Sequence, residues 1–151
     1  SMEESQNTGT VTKDDSFQIL QKVEDMIDYA YPLIKKWSVA DKYAIGNDLM
    51  DCMKKLLRLS VDIREKYYKK TTLGDFDREN KTLQEFIKVA YDLNILKGLS
   101  SYKEWNRRSE EIGRMIGGFI NTVNGTNSDA DNTATQQQKS SRYGNSRYKR
   151  H

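Results

Sequence analysis

Hydrophobic residues recur at intervals of three and four positions through four separate stretches of the chain. This spacing is typical of amphipathic α-helices, because it places the apolar side chains on one face of the helix. The stretches begin near Ser16, Ser38, Asp75 and Ser101. None of them shows the two-residue alternation of a half-buried strand. The pattern predicts an all-α protein with four helices.

The first two helices are separated by a capping signal. Pro32 lies inside the first helix, where a proline removes a backbone hydrogen bond and clashes with the preceding turn. Because the apolar spacing continues to Trp37, we expect a bend at Pro32. The second helix is predicted to be the longest, from Ser38, whose hydroxyl can cap it, to Lys70. Its predicted buried face contains Tyr43, Ile45, Leu49, Cys52, Met53, Leu56, Leu59, Ile63 and Tyr67.

The third and fourth helices also have recognisable starts. Residues 71–74 are predicted to form a turn, after which Asp75 caps the third helix. The fourth helix opens with a capping box, in which the Ser101 hydroxyl and the Glu104 carboxylate can each bond a backbone N–H of the first turn. It ends near Val123, where the apolar spacing stops.

Three glycines interrupt the fourth helix, at Gly113, Gly117 and Gly118. Each costs about 1 kcal/mol relative to alanine inside a helix. One interpretation is fraying near the end of the helix. Because the apolar spacing continues beyond the glycines to Val123, we favour the other interpretation, in which a neighbouring helix packs closely against the bare backbone.

Short connections force successive helices to run antiparallel, so that the four helices form an up-down-up-down bundle. Residues 1–15 are polar and lack periodicity, and they are predicted to be disordered. The bundle is assigned to residues 16–123. Residues 124–151 are rich in Asn, Thr, Ser, Gln and Gly, and they are predicted to form a disordered basic tail.

Charge is distributed unevenly. Lys and Arg number 25 and Asp and Glu 22, but residues 1–123 contain 20 of each, so that the excess lies in residues 124–151. Many lysines of the helices follow an acidic residue by four positions and can pair with it, as Asp51 can with Lys55. After these pairs are set aside, four basic residues are left on the second helix. They are Lys54, Arg58, Arg64 and Lys70.

Two interpretations of these four residues are open. In the first they form a basic stripe that binds the phosphates of a polyanion without reading its sequence. In the second they have internal partners, because Arg58 and Arg64 can pair with an acidic cluster of the first helix, Glu24, Asp25 and Asp28.

The tail contains a second basic cluster. Arg142, Arg147, Lys149 and Arg150 are interleaved with tyrosines in this segment. Arginine beside tyrosine can hold single-stranded nucleic acid through charge and base stacking. A soluble tail with a chance cluster explains the same composition.

Candidate catalytic chemistry is scarce. The only histidine, His151, is the last residue, so that the predicted helices contain no imidazole to act as a base or a metal ligand. Cys52 lies among apolar residues, as a thiol in a core does. The Glu-x-x-His motif of di-metal bundles does not occur. The sequence therefore predicts a protein without catalytic residues, metal or cofactor.

Nothing in the sequence predicts a membrane or secreted location. One cysteine cannot form an internal disulfide, and the chain shows no signal-peptide pattern and no apolar run of transmembrane length. A reducing cytoplasmic location is the expectation.

Three short runs resemble a known family. YAYPLIKKW at residues 29–37 and YAIGNDL at residues 43–49 resemble the four-helix proteins encoded in intervening sequences of bacterial 23S ribosomal RNA genes. Within that group, EIGRMIGG at residues 111–118 is similar to the accessory variability determinant (Avd) of diversity-generating retroelements. The resemblance covers roughly residues 17–123.

The resemblance implies a homopentameric barrel of four-helix protomers with a positively charged surface. It implies a non-enzymatic accessory protein that binds the reverse transcriptase of the retroelement and RNA or DNA, and that supports mutagenic cDNA synthesis and retrohoming. The implied contact residues in the helices include Arg58, Arg64, Arg107, Arg108 and Arg114. A ribosomal-RNA-associated bundle and a structural bundle that binds no nucleic acid are the alternatives.

Overall fold

The computed structural model describes residues 10–66 and 70–125, and within them it is entirely helical, with no β-strand. The helices are α1 (Lys13–Ile34), α2 (an α-helical start at Val39–Asp41, a π-helix at Lys42–Gly46 and an α-helix at Asn47–Arg64), α3 (Lys70–Asp92) and α4 (Leu99–Asn124). The all-α prediction is confirmed. None of these helices combines the length and the apolar composition of a membrane span.

The helices form a four-helix bundle. Each packs against its neighbours in the chain, and α4 also packs against α1, which closes the bundle and leaves α2 and α4 on opposite corners. Short connections keep neighbours antiparallel. The largest fully buried side chains fill the centre: Trp105, Phe76, Ile19, Met26, Leu49, Met53, Leu56, Ile63, Leu73, Leu83, Ile87 and Ile112.

Helix α1 begins three residues before the predicted start. The Thr12 hydroxyl accepts a hydrogen bond from the backbone N–H of Asp15 at 3.1 Å, and Val11 is buried in the core. The apolar spacing along the helix does not predict this start. The buried residue at this end, Val11, lies before the helix and is therefore not part of that spacing. At the other end α1 stops at Ile34, two residues after Pro32, so that the expected continuation to Trp37 is wrong.

Helix α2 begins as predicted but ends early. The Ser38 hydroxyl accepts a hydrogen bond from the N–H of Asp41 at 3.1 Å, which confirms the cap. The α-helix stops at Arg64, and Lys66 has a φ of 63°, in the left-handed region that ends helices. The prediction of one helix to Lys70 is therefore wrong, and Lys70 begins α3.

A π-helical turn, which the sequence does not predict, changes the buried face of α2. Ile45 and Gly46 are buried within it, whereas Tyr43 is 76% exposed, contrary to the prediction. A π-helix holds more residues per turn than an α-helix, so that the spacing read from Leu49 onward does not extend back to Tyr43. Tyr67, at the other end of the predicted face, lies outside the described residues.

Helix α3 includes residues 71–74, which the sequence predicts as a turn. Leu73 and Phe76 are fully buried, at the three-residue spacing of one helix face. The core face therefore starts at Leu73, one turn before Phe76. The burial of Leu73 offsets the cost of Gly74, because a buried leucine contributes about 1.5–3 kcal/mol and a helical glycine costs about 1 kcal/mol.

Helix α4 begins at Leu99, and the predicted capping box does not form. Gly98 precedes the helix with a φ of 93°, and no side chain caps the first turn. Glu104 accepts hydrogen bonds from Arg107 and Arg108 instead. The actual start places Glu104 in the second turn, where the backbone N–H groups are already bonded within the helix.

Close packing explains one of the three glycines of α4. A Cβ atom at Gly113 would lie 3.2 Å from Nδ2 of Asn80 on α3, whereas nothing lies within 4 Å of such an atom at Gly117 or Gly118. The helix continues through all three to Asn124, so it does not fray at them. Within one chain, the prediction of close packing holds at Gly113 alone.

Candidate nucleic-acid interface

A network of ion pairs joins α1 to α4. Nζ of Lys22 lies 2.5 Å from Oε1 of Glu111. Arg107 donates to both Glu104, at 2.8 Å, and Glu111, at 3.2 Å, and Nε of Arg108 donates to Glu104 at 2.7 Å. Two predicted contact residues, Arg107 and Arg108, therefore have carboxylate partners one turn away on their own helix.

The network holds its carboxylates in the charged form. The hydrogen bond from Arg107 is the main reason that the pKa of Glu104 falls to about 2, and the hydrogen bond from Lys22 lowers the pKa of Glu111. The guanidinium of Arg108 also lies over the ring of Tyr29, 4.4 Å from its centroid. These contacts connect the first and last helices, and they explain both arginines without a ligand.

The basic residues of α2 are less firmly held. Lys54 lies 3.5 Å from Asp51, and Nε of Arg64 donates to Glu65 at 3.3 Å. Two of the four residues of the predicted stripe, Lys54 and Arg64, therefore have carboxylate partners in the structure. Exposed pairs of this kind contribute only about 0–1 kcal/mol, so a phosphate can replace the carboxylate.

Neither internal pairing scheme predicted for α2 forms. Lys55 pairs with Glu79 of α3 at 3.4 Å rather than with Asp51. No ion pair joins Arg58 or Arg64 to the acidic cluster of α1 within the described residues. The second interpretation of the stripe is not supported.

Three of the predicted contact residues have no ion pair with any described residue: Arg58, Lys70 and Arg114. Arg58 lies on α2 and Arg114 on α4, which occupy opposite corners of the bundle. The structure thus divides the predicted set between two separate surfaces. The four basic residues predicted in the tail, Arg142, Arg147, Lys149 and Arg150, lie outside the described residues.

The thiol of Cys52 is a core group. Burial is the main reason that its pKa rises to about 12, and Leu56 and Met53 beside it are also fully buried. A thiol with such a pKa is not a nucleophile near neutral pH. Among residues 10–66 and 70–125, no group of three or more His, Cys, Asp or Glu side chains is arranged to hold a metal ion.

The sequence does not predict a cleft of about 420 Å³ at the end of the bundle where the α1–α2 and α3–α4 turns meet. It is lined by Leu33, Lys36, Trp37, Ser38, Asp41, Ile95, Leu96, Lys97, Ser101 and Trp105. The rings of Trp37 and Trp105 stack with centroids 6.3 Å apart. Each of the two turns beside the cleft contains a lysine, Lys36 before Trp37 and Lys97 before Gly98. These two lysines are the only signal for the site in the sequence.

The chain matches a family of known proteins. No curated protein and no solved structure matches the chain significantly. A protein-family model described as bAvd-like matches residues 17–123. The match spans well over half of the 151 residues and extends across all four helices. On this evidence the chain belongs to the bAvd-like family.

Proposed function

We propose that this protein is a non-enzymatic accessory protein of a diversity-generating retroelement. In this role it binds the retroelement's reverse transcriptase and RNA or DNA in the cytoplasm, and it supports mutagenic cDNA synthesis and retrohoming. The observation that carries the proposal is the bAvd-like match over residues 17–123. The proposed active form is a homopentamer.

The exposed cations support a polyanion ligand. Arg58 and Arg114 have no carboxylate partner among the described residues, and Lys54 and Arg64 have only exposed ones. Lys and Arg side chains bind nucleic acid by releasing the counterions of the phosphates. A single surface with so few cations binds weakly. A ring of identical protomers presents the same surface several times to one strand, which raises the overall affinity.

The exposed apolar residues support a protein partner. Five large apolar side chains more than half exposed lie near the two turns at one end of the bundle: Tyr31, Val39, Tyr43, Leu93 and Leu99. Exposed apolar groups that cluster on one surface are typical of protein–protein contacts. Both the reverse transcriptase and neighbouring protomers are partners of this kind.

The first test is the salt dependence of binding to mixed-sequence RNA, measured for the intact protein and for a chain that ends at Val123. We expect both proteins to bind at low salt and the affinity to fall steeply as salt increases. Undetectable binding by both proteins would refute the nucleic-acid part of the proposal. Co-purification of the protein with the reverse transcriptase tests the other part.

A pair of arginine variants tests the α2 surface. Arg58→Ala removes an unpaired guanidinium, whereas Arg78→Ala removes one that pairs with Asp75 on its own helix and serves as the matched control. We expect Arg58→Ala to weaken RNA binding and to lower the salt slope by about 0.7–0.9, and Arg78→Ala to change the slope less. Equal effects of the two variants would mean that general charge, not the α2 surface, binds the RNA.

A further inference from the structure

The cleft at the turn end of the bundle combines three features that distinguish it from the ion-pair surfaces. It is concave, with a volume of about 420 Å³, and it lies within the range of small-ligand sites. Its walls come from α1, α2 and α4 and from the two turns at this end of the bundle, so that the bundle itself fixes its shape. Its lining contains aromatic rings, two lysines and a carboxylate.

Both tryptophans of the chain line this cleft. Trp105 is fully buried, and Trp37 stacks on it at an angle of 27° between the rings, while Trp37 itself is half-buried. A partly exposed indole whose position is fixed by a second ring is a platform on which a planar group can stack. The Nε1 atom of Trp105 has no hydrogen-bond partner among the described residues.

The rim of the cleft favours an anion. Lys36 and Lys97 are both exposed and make no ion pair with any described residue. Ser101 lies in the first turn of α4, and that turn has neither a side-chain cap nor an acidic residue. The N-terminus of a 26-residue helix carries a partial positive charge and unbonded N–H groups, both of which stabilise a phosphate.

Asp41 adds a hydrogen-bond acceptor to the same cleft. Its backbone N–H bonds the Ser38 hydroxyl, but its carboxylate has no ion pair with a described residue. A carboxylate beside a stacking platform can accept a hydrogen bond from the amino group of a base. The lining as a whole suits a ligand that has a planar ring with a donor and a separate anionic group.

We propose that this cleft holds one unpaired nucleotide, with its base against Trp37 and its phosphate between Lys36, Lys97 and the start of α4. The inference rests on the proposed function, because it assigns the nucleotide to a single-stranded segment of the bound RNA or DNA. The strand passes the cleft and inserts one base, and a paired base in a duplex cannot reach the platform.

Intrinsic fluorescence is a direct readout, because the only two tryptophans both line the cleft. The full chain is titrated with a single-stranded trinucleotide, a fully paired hairpin, a nucleoside monophosphate and inorganic phosphate. Fluorescence anisotropy of labelled strands measures overall binding in parallel. We expect the trinucleotide to quench the tryptophan emission, the monophosphate to do so at higher concentration, and the hairpin and the phosphate to leave it unchanged.

Two double variants separate the cleft from the general charge of the protein. Lys36→Ala with Lys97→Ala removes both cleft lysines, which are exposed and therefore not needed for folding. Lys13→Ala with Lys66→Ala removes the same charge from two exposed lysines that make no ion pair with a described residue and do not line the cleft, and it is the matched control. We expect the first pair to weaken the quenching and to lower the salt slope for the trinucleotide by roughly 0.7 per lysine, and the second pair to leave the quenching intact.

The outcomes distinguish this inference from the function on which it rests. If anisotropy shows that the strand binds while the tryptophan emission does not change, the nucleotide site in the cleft is refuted and the proposed function is not. No binding in either measurement overturns both. Equal quenching by the monophosphate and the trinucleotide would assign the cleft to a free nucleotide. Tryptophan emission that changes only when the reverse transcriptase is added would assign the cleft to a protein. Either result would refute the proposal of a strand-bound nucleotide.

Discussion

Glu104 holds two arginines of α4 in one ion-pair network. Three positions after Ser101, it has the spacing of a capping box, yet its carboxylate accepts hydrogen bonds from Arg107 and Arg108. The difference arises because α4 begins at Leu99, one position beyond Gly98 with its positive φ. The function of a side chain near a helix end therefore depends on which residue starts the helix.

Glu104 gives the protein a defined sensitivity to acid. Its pKa is lowered from an ordinary value of 4.5 to about 2, so its contribution to the free energy of unfolding is present above pH 4.5 and is lost as the pH falls toward 2. We expect Glu104→Gln to reduce the loss of stability over this interval in urea unfolding experiments. Glu110→Gln, on the exposed side of the same helix, is the control and should retain the wild-type dependence; an unchanged profile for Glu104→Gln would contradict the prediction.

Asn80 is a buried polar residue that the apolar spacing does not reveal. Its Nδ2 donates a hydrogen bond to the backbone carbonyl of Ser109 at 2.9 Å, and thereby joins α3 to α4 inside the core. We expect Asn80→Ala to lower the free energy of unfolding by about 0.5–1.5 kcal/mol, because it removes the buried hydrogen bond that joins the two helices. Asn47→Ala, at an exposed position, should change it by less than about 0.5 kcal/mol. Equal effects in chemical denaturation would show that the buried hydrogen bond contributes little.

At the scale of the element, helix α4 shows that identical residues differ in what surrounds them. Gly113 faces Asn80 at a distance that leaves little room for a methyl group, whereas Gly117 faces open space within the chain. Helix propensity alone assigns the two glycines the same cost, about 1 kcal/mol each. Only the position of α3 separates them.

The glycine pair gives a matched comparison of two alanine substitutions. We expect Gly117→Ala to raise the free energy of unfolding by up to about 1 kcal/mol, since the added methyl group meets nothing and the helix gains propensity. Gly113→Ala should gain less, because its methyl group must displace the Asn80 amide. Thermal unfolding of both variants tests this, and a destabilised Gly117→Ala would mean that another chain packs against that face.

At the scale of the whole molecule, the distribution of surface groups favours assembly. Five of the six large apolar side chains that are more than half exposed lie near the turn end of the bundle, and the unpaired arginines lie on opposite corners. Neither surface alone accounts for tight binding of a long polyanion, because a single small cluster of cations is easily displaced by salt. In the proposed ring, repetition of the surfaces would provide what one protomer lacks.

Native mass spectrometry of the intact protein tests the proposed assembly. We expect a main species at five times the chain mass of 17.6 kDa. Tyr43→Ser replaces the most exposed of the large apolar residues. Its oligomeric mass is compared with that of the control Thr82→Ser, at an exposed position of α3. A monomeric wild-type protein would refute the pentamer without affecting the family assignment.

The class of the fold and the approximate positions of the helices follow from the order of residues alone. Apolar spacing, the Ser38 cap and the scarcity of proline are local properties, and each is read correctly from neighbouring residues. The resemblance of three short runs also led to the family that the match over residues 17–123 confirms. Local sequence patterns therefore sufficed to identify the fold class and the family.

Which residues are available for function depends on the packing of the four helices. Whether an arginine is paired, a glycine is crowded or a tryptophan lines a cleft depends on side chains from helices far apart in the chain. Lys55 pairs with Glu79 rather than Asp51, and Trp37 meets Trp105 only after the bundle closes. These contacts have no local signature, because they are fixed by the packing of one helix against another, and the spacing within each helix leaves them open.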